Sequence, residues 1–433
     1  MLDTTLNKIR SFIPVKLFRS LQPIYHFSLS FVAALVYRFP SRHIKIIGVT
    51  GTKGKSSTVE ILSAILEESG YKTALSNTIR FKIGAASSEN LYKMSMPGRF
   101  FVQHLIRQAV DAQCDYLILE MTSQGALLHR HRFINLDALV FTNLSPEHIE
   151  AHGSYENYRD SKLSICRTLK SSSKKGCAII ANGDDPESSH FLACEADTKT
   201  TFGLSDAEPY TIKKDGIDFT YQGQKISSPL SGLFNLYNIL AAATAARSQQ
   251  VLPETVARAV SKFSGILGRV QKIEADPAFA KASAGKQDFT VIVDYAHTPD
   301  SLEKLYQVFQ SSRKICVLGG TGGGRDTWKR TEMGRIADTY CDEIILTDED
   351  PYDEDPKKIV DDVASGITTK KPTILMDRRE AIREAITRAK TGDTVLISGK
   401  GTDPYIMGPE GTKTEWSDAK VAREELEKIL GKN

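Results

Sequence analysis

What this 433-residue chain lacks already narrows what it does. Its six cysteines, Cys114, Cys166, Cys177, Cys194, Cys316 and Cys341, include no C-x-x-C pair. That spacing argues against a zinc ribbon and points to reduced residues, mostly in core positions, of a cytoplasmic protein. An excess of one charge is missing too. Lys and Arg number 56 against 53 Asp and Glu, and a net charge of +3 leaves no footprint for nucleic acid. No small-residue cleavage site follows the N-terminal apolar stretch, so it does not read as a signal peptide. That stretch, Ser20 to Tyr37, has no Asp, Glu, Lys or Arg, which borders on a membrane span. Gln22, Pro23, His26, Ser28 and Ser30 dilute it. Ile24, Phe27, Phe31 and Leu35 fall on one helical face and His26, Ser30 and Tyr37 on another. The expectation is an amphipathic helix packed on the protein, with a position on a membrane surface as the alternative.

What is present is an ordinary globular composition, long enough for two or three domains. The chain is organised around Gly48-Val49-Thr50-Gly51-Thr52-Lys53-Gly54-Lys55-Ser56-Ser57. An apolar run, Ile44 to Ile47, precedes it as a strand, and a helical pattern, Ser56 to Ser69, follows and closes at Gly70. Strand, glycine-rich turn and helix form a phosphate-binding context, in which backbone N–H groups and the helix N-terminus face an anion. The strict motif has a glycine where Val49 stands, so this is a variant, Gly51-x-x-Gly54-Lys55-Ser56. Lys55 is placed to reach the outer phosphates and the Ser56 hydroxyl to ligate Mg²⁺.

Further along, Tyr71 to Leu75 reads as a strand and Phe101 to Val110 as a helix. The strand Asp115 to Leu119 ends in Glu120, a carboxylate where ligands of α/β sheets sit and one able to bind the nucleotide's metal. Asp137 to Asn143 repeats the design, and His148 and His152 lie in the segment that follows. Ser154 is the expected N-cap of a helix carrying Lys162, and Cys177 to Ala181 is a further strand. Residues 200 to 230 alternate in a way that predicts short antiparallel strands. An alanine-rich helix, Ile239 to Ser248, opens after Phe234 to Asn238. Ala275 to Lys286 reads as an exposed loop, and beyond it five strands alternate with helices as in a Rossmann-like parallel sheet. The glycine run Gly319 to Gly324 does not fit G-x-G-x-x-G, so no dinucleotide site is expected there. The fold class is therefore α/β. It comprises an N-terminal helical segment (1–42), a P-loop ATPase domain with a mostly parallel sheet (43–267), and a smaller Rossmann-like domain (268–433). The cleft between the two larger domains is the default site.

The motifs together resemble the Mur ligases of peptidoglycan synthesis, in particular those that make UDP-N-acetylmuramoyl-tripeptide. The landmarks run in the family's order from about Lys45 to Glu427. They are Thr50 to Ser56; Glu120-Met121-Thr122-Ser123; Phe141 to Leu144 through His148 and His152-Gly153; Tyr158 with Lys162; Phe234 to Asn238; Gly268-Arg269; Asp294 to Pro299; Gly323-Gly324-Arg325-Asp326 with Lys329-Arg330; and Gly399-Lys400-Gly401. The resemblance implies an ATP-dependent carboxylate–amine ligase of the cytoplasm, acting through an acyl phosphate on a UDP-MurNAc-peptide and a free amino acid, with a monomer as the expected state. It implies two Mg²⁺ sites, one held by Ser56 and Glu120 and a second served by Glu120, His148 and a carbamylated Lys162. The catalytic set is then Lys55, Glu120, His148 and Lys162. ATP contacts fall on Gly51, Thr52, Lys53, Gly54, Lys55, Ser56, Ser57, Asn143, Asn235, Asn238, Arg269, Asp294, His297 and Arg330. Substrate contacts fall on Ser95, Thr122, Arg130, Asp350, Tyr352, Gly399 and Asp403.

Departures from the pattern shape the reading. The family carries a uridine-binding domain before the P-loop, whereas here the loop begins at Gly48, which leaves UDP recognition without its usual domain or moves it to the N-terminal helix. Met96 stands in place of a threonine, Leu128 of a glutamine and Asp403 of a glutamate. The selectivity motif Asp-Asn-Pro-Arg reads Glu349-Asp350-Pro351-Tyr352, which removes a bidentate grip on a second carboxylate and disfavours diaminopimelate. The acidic cluster Asp348 to Asp355 is either a site for a cationic side chain or a solvated loop. Two rival readings are a folylpolyglutamate synthase-like ligase and a non-catalytic nucleotide-binding relative.

Overall fold

The computed structural model describes residues 15–147, 149–276, 289–324 and 327–431. Most of the expected loop Ala275 to Lys286, and Arg325 and Asp326 of the glycine-rich landmark, lie outside the described residues. The chain divides into two compact units, Met1–Glu208 with Thr220–Gln224 and Tyr237–Val260, and Pro209–Phe219 with Lys225–Leu236 and Ser261–Asn433.

The first unit begins with helix α1 (Val15–Val36). Strand β1 (Lys45–Thr50) leads through the glycine turn into α2 (Lys55–Glu68), and then come β2 (Thr73–Ser76), β3 (Arg80–Ile83) and β4 (Ala86–Glu89). Helix α3 (Arg99–Asp111), β5 (Tyr116–Glu120), α4 (Ser123–Leu127), β6 (Ala138–Phe141), α5 (Ile149–His152), α6 (Tyr155–Cys166), β7 (Ala178–Asn182), α7 (Ser188–Leu192) and β8 (Thr198–Phe202) follow. The eight strands form one sheet in the order β4-β3-β2-β5-β1-β6-β7-β8. From β2 to β8 the pairings are parallel, and β3 and β4 add an antiparallel hairpin at one edge. Central strands of a parallel sheet are covered on both faces, which is why Ile46 to Val49 of β1 and Tyr116 to Leu119 of β5 are buried apolar runs. Thr50 and Glu120 sit at their carboxyl ends.

Strands β9 (Tyr210–Lys213), β10 (Gly216–Tyr221) and β11 (Gln224–Ser228) make a small sheet, followed by α8 (Leu233–Ser248) and α9 (Pro253–Lys262). The second unit holds β12 (Gln271–Ile273), β13 (Thr290–Asp294), α10 (Pro299–Val308), β14 (Lys314–Leu318), α11 (Trp328–Tyr340), β15 (Glu343–Leu346), α12 (Pro356–Ala364), β16 (Thr373–Ile374), α13 (Arg378–Arg388), β17 (Thr394–Ser398), β18 (Tyr405–Met407), β19 (Lys413–Glu415) and α14 (Asp418–Gly431). Its six-stranded sheet runs β12-β13-β17-β14-β15-β16, parallel except for β12. The α/β class, the large mostly parallel sheet and the second Rossmann-like sheet are those the sequence pattern predicts.

Two expectations are corrected. Residues 200–202 do not join the small antiparallel sheet, because they continue β8, which pairs parallel to β7. The cysteines are not all reduced, since Cys316 on β14 and Cys341 after α11 form a disulfide. Their spacing carries no pairing signal, and it is the packing of α11 on the sheet that brings them together. Helix α1 packs on the protein as expected, and the residues it buries most deeply are small ones. Ser30, Ala33 and Ala34 are buried, while Ile24, Phe31 and Leu35 stand exposed. Small residues allow α1 to approach α3 closely, and Ser30 Oγ donates to His129 O at 2.8 Å.

Candidate active site

Glycine is required at two points of the turn after β1. Gly51 has φ +151°, and a Cβ there would lie 2.0 Å from Thr142 Oγ1. Gly54 caps α2 at φ +81°, and a Cβ there would lie 2.2 Å from Asn238 Oδ1. The turn is therefore clamped between the end of β6 and the start of α8. Asn143 fastens it from both sides. Its backbone O accepts from Thr52 N at 2.8 Å, its Oδ1 accepts from Lys53 N at 2.9 Å, and its Nδ2 donates to Lys53 O at 3.1 Å. Thr142 Oγ1 donates to Lys53 O at 2.7 Å, and Lys55 Nζ donates to Thr52 O at 2.8 Å. Ser57 is buried in the first turn of α2.

Glu120, at the carboxyl end of β5, is buried. Its Oε2 accepts from Ser56 Oγ at 2.6 Å and from Thr78 N at 3.2 Å. Thr78 Oγ1 lies 2.9 Å from Ser56 Oγ. The sequence pattern passed over Thr78; its signal was position, just after β2 on the same edge of the sheet as Glu120. A hydroxyl beside a carboxylate is a hard-oxygen pair suited to Mg²⁺, which takes one or two protein ligands and fills the rest with phosphates and water. His148 lies outside the described residues.

Lys162 comes from α6, whose N-cap is Ser154 as expected, with Oγ accepting from Asn157 N at 3.2 Å. The lysine is 2 % exposed, donates to Gly51 O at 2.5 Å and sits 4.8 Å from the centre of the Tyr158 ring. Burial, and then the charge of Lys55, push its amine well below the ordinary lysine range. Tyr158 OH meets Thr52 Oγ1 at 3.0 Å, so helix and phosphate turn are tied together. His152 is held by Ser123 Oγ at 3.2 Å and Ser161 Oγ at 3.3 Å, and burial lowers its proton affinity.

These groups border a cavity of about 120 Å³ lined by Thr52, Lys55, Thr78, Ser95, Thr122, Arg130, Tyr158 and Lys162 among others. Ser95 Oγ is buried there without a hydrogen-bond partner, which is costly unless a ligand completes it. Thr122 caps α4 by accepting from Gly125 N at 3.1 Å. Arg130 Nη1 donates to Met96 O, and its burial lowers its proton affinity without taking an arginine out of its charged form. The structure thus brings together the phosphate turn, Glu120, Lys162, Ser95, Thr122, Arg130, Asn143 and Asn238. Asn235, in the second unit, donates to Ser231 O at 2.8 Å.

The remaining sequence-predicted residues lie in the second unit. Asp294, ending β13, accepts from Val270 N and Ala296 N, both at 2.7 Å. Arg269 stacks 4.5 Å over Tyr295, and His297 Nδ1 lies 2.7 Å from Tyr295 O. Arg330 is buried and pairs with Glu354 at 2.8 Å and Asp362 at 2.9 Å. Lys400 Nζ bonds Asp350 Oδ1 at 2.8 Å and Asp403 Oδ2 at 3.0 Å. Tyr352 has φ +52° and its N donates to Met407 O at 3.0 Å. Gly399 has φ +113°, and a Cβ there would lie 2.3 Å from Glu349 Oε2. Several carboxylates of the acidic cluster have partners within the protein. Asp350 is paired with Lys400, Asp353 accepts from Glu410 N, Glu354 takes Arg330 and Gly324 N, and Asp355 caps α12.

Comparison with known proteins finds similar chains. Residues 49–246 match the Mur ligase middle domain, and residues 281–401 the Mur ligase glutamate ligase domain. A UDP-N-acetylmuramoyl-L-alanyl-D-glutamate–2,6-diaminopimelate ligase of Syntrophomonas wolfei is 35% identical over 414 residues, covering 92% of this chain and 81% of that protein. A solved structure of a ligase with the same printed activity superposes with a TM-score of 0.61 at 26% identity, covering 89% of this chain and 79% of the other. The E. coli FolC structure in complex with DHPP and ADP, at 17% identity and a TM-score of 0.63, covers 92% of both chains and shows a shared fold.

Proposed function

The chain belongs to the Mur ligase family of ATP-dependent, amide-bond-forming ligases, and from that premise we propose that it joins an amino acid to the peptide carboxylate of a UDP-MurNAc-dipeptide. The observation that carries the reading is the cluster of Ser56, Thr78, Glu120 and Lys162 around the phosphate turn, opening on a cavity with the unpartnered Ser95 hydroxyl.

In this reading ATP is a substrate whose outer phosphates lie against the turn and Lys55. The acceptor carboxylate attacks the terminal phosphorus, ADP leaves, and the amine then displaces phosphate from the acyl phosphate while losing a proton. Both steps gather negative charge, so cations and fixed N–H donors matter most. Bound Mg²⁺ supplies charge neutralisation and phosphate alignment there. Ser56 and Glu120 are the residues that would hold it. Ser95, Thr122 and Arg130 grip the acceptor, and Asn143 and Asn238 hold the turn in shape. Asn235, Arg269, Asp294 and His297 are assigned to the nucleotide side by resemblance to the family. Arg330 is assigned there as well, though its two carboxylate partners give it a structural task.

Lys162 is proposed to be carbamylated. An ammonium beside a metal would be repelled, whereas burial favours the neutral amine, which is the form that adds CO₂. A second metal site, with His148, belongs to the same proposal.

Asp350, Tyr352, Gly399 and Asp403 are assigned to the incoming amino acid. No guanidinium stands at Tyr352, so the amine is expected to lack the second carboxylate end of diaminopimelate. A test measures phosphate release from ATP, with bicarbonate and Mg²⁺. UDP-MurNAc-L-Ala-D-Glu is offered with lysine, ornithine, diaminopimelate and other amines in turn. Release requiring the UDP-dipeptide and one amine supports the reading. Release with a folate substrate and glutamate alone would replace it.

A further inference from the structure

The exposed face of α1 carries a row that folding has not used. Ile24, Phe27, Phe31, Val32, Leu35 and Val36 are each between 43% and 63% exposed. A scattered apolar residue on a surface needs no explanation, but a contiguous row on one helix does. Phe27 and Phe31 lean on Phe133 at 5.1 and 5.4 Å between ring centres, so the row is held rigidly at its root.

Its surroundings are basic. Arg38, Arg42 and Lys45 follow the helix, and no Asp or Glu occurs from there to Glu60. The elements packed against α1 have the same sign. Helix α3 brings Arg99, His104 and Arg107, and its one carboxylate, Asp111, is paired with Arg107 at 2.5 Å. The turn beneath Phe27 adds Arg130 and Arg132, while burial lowers the proton affinity of its His129 and His131. Among the described residues no helix is long and apolar enough to cross a membrane. An apolar row inside a basic collar is the arrangement of a helix that lies in a lipid headgroup layer. A second copy is a poorer occupant, because a two-fold contact would press one basic collar on another.

We propose that this face of α1 docks the protein onto a bilayer surface bearing anionic headgroups. Because Arg130 lines the cavity and its neighbour His129 touches α1, docking sets the ligase site beside the lipid surface.

The test floats the full chain with phosphatidylcholine vesicles, with and without about 30% phosphatidylglycerol, at low salt and at ~0.5 M NaCl. Recovery is expected on the anionic vesicles alone, falling about tenfold in high salt. Ile24→Glu combined with Leu35→Glu alters two exposed positions clear of the ring cluster. It should lower recovery about tenfold while Tm and phosphate release stay at wild-type values. Arg38→Glu with Arg42→Glu should do the same through charge alone. Equal recovery of wild type and both variants, or none of any on anionic vesicles, overturns the proposal. So does a wild-type dimer in sedimentation that the Glu variants dissolve, which would make the row a protein interface.

Discussion

Two regions of this molecule occupy the same place in their sheets and treat polar groups in opposite ways. Beyond the carboxyl ends of β1 and β2, Thr52, Thr78 and, from α6, Lys162 lie around a cavity, and Ser95 Oγ is left without a partner. At the carboxyl ends of β13, β15 and β17 most charges are paired within the protein, Glu349 Oε2 being buried without a partner. Lys400 lies between Asp350 and Asp403, Arg378 grips Asp418 at 2.7 Å, and Asp294 holds two backbone N–H groups. A buried group completed by protein serves the fold, and one left incomplete beside a cavity is kept for a ligand. The position of a polar residue at a strand end therefore does not say which of the two it is.

The contrast can be broken by mutation. Asp418→Ala in the second region leaves the buried Arg378 uncompensated and should cost about 3–5 kcal/mol in denaturant unfolding. A loss well below 1 kcal/mol would erase the distinction. Glu120→Gln in the first region should instead lower kcat about 10²–10³-fold with little change in Tm. A variant that unfolds would show Glu120 to be structural.

A pH experiment sharpens the same point. Burial raises Glu349 from its ordinary 4.5 to about 7. The folded state then holds a proton that the unfolded state has released, so stability is full below about 4.5 and is lost as pH rises through 7. Glu349→Gln should flatten that slope and raise Tm at pH 8; an unchanged slope would assign it to other groups. The smallest effect is expected from Ser154→Ala, which removes the cap of the helix carrying Lys162 and should cost about 1 kcal/mol by thermal unfolding.

Much of the first region was legible because its signals are local. The turn from Gly48 to Ser57, the terminal Glu120 and the Ser154 cap each follow from a short pattern that one strand or one helix turn enforces. Thr78 was missed because its function depends on β2 and β5 being neighbours, which their sequence separation hides. The run from Asp348 to Asp355 stayed open between two readings because its partners, Arg330, Lys400 and Glu410 N, come from other elements.

The sequence by itself determined the alternation of strands and helices, the phosphate turn and the family, because these rest on periodicity and on neighbours a few residues apart. Only the tertiary structure decided which face of α1 turns inward, which charges cancel and which two cysteines meet. Each of those depends on which elements become neighbours, and a helix with small residues on one side and rings on the other can bury either until close packing chooses.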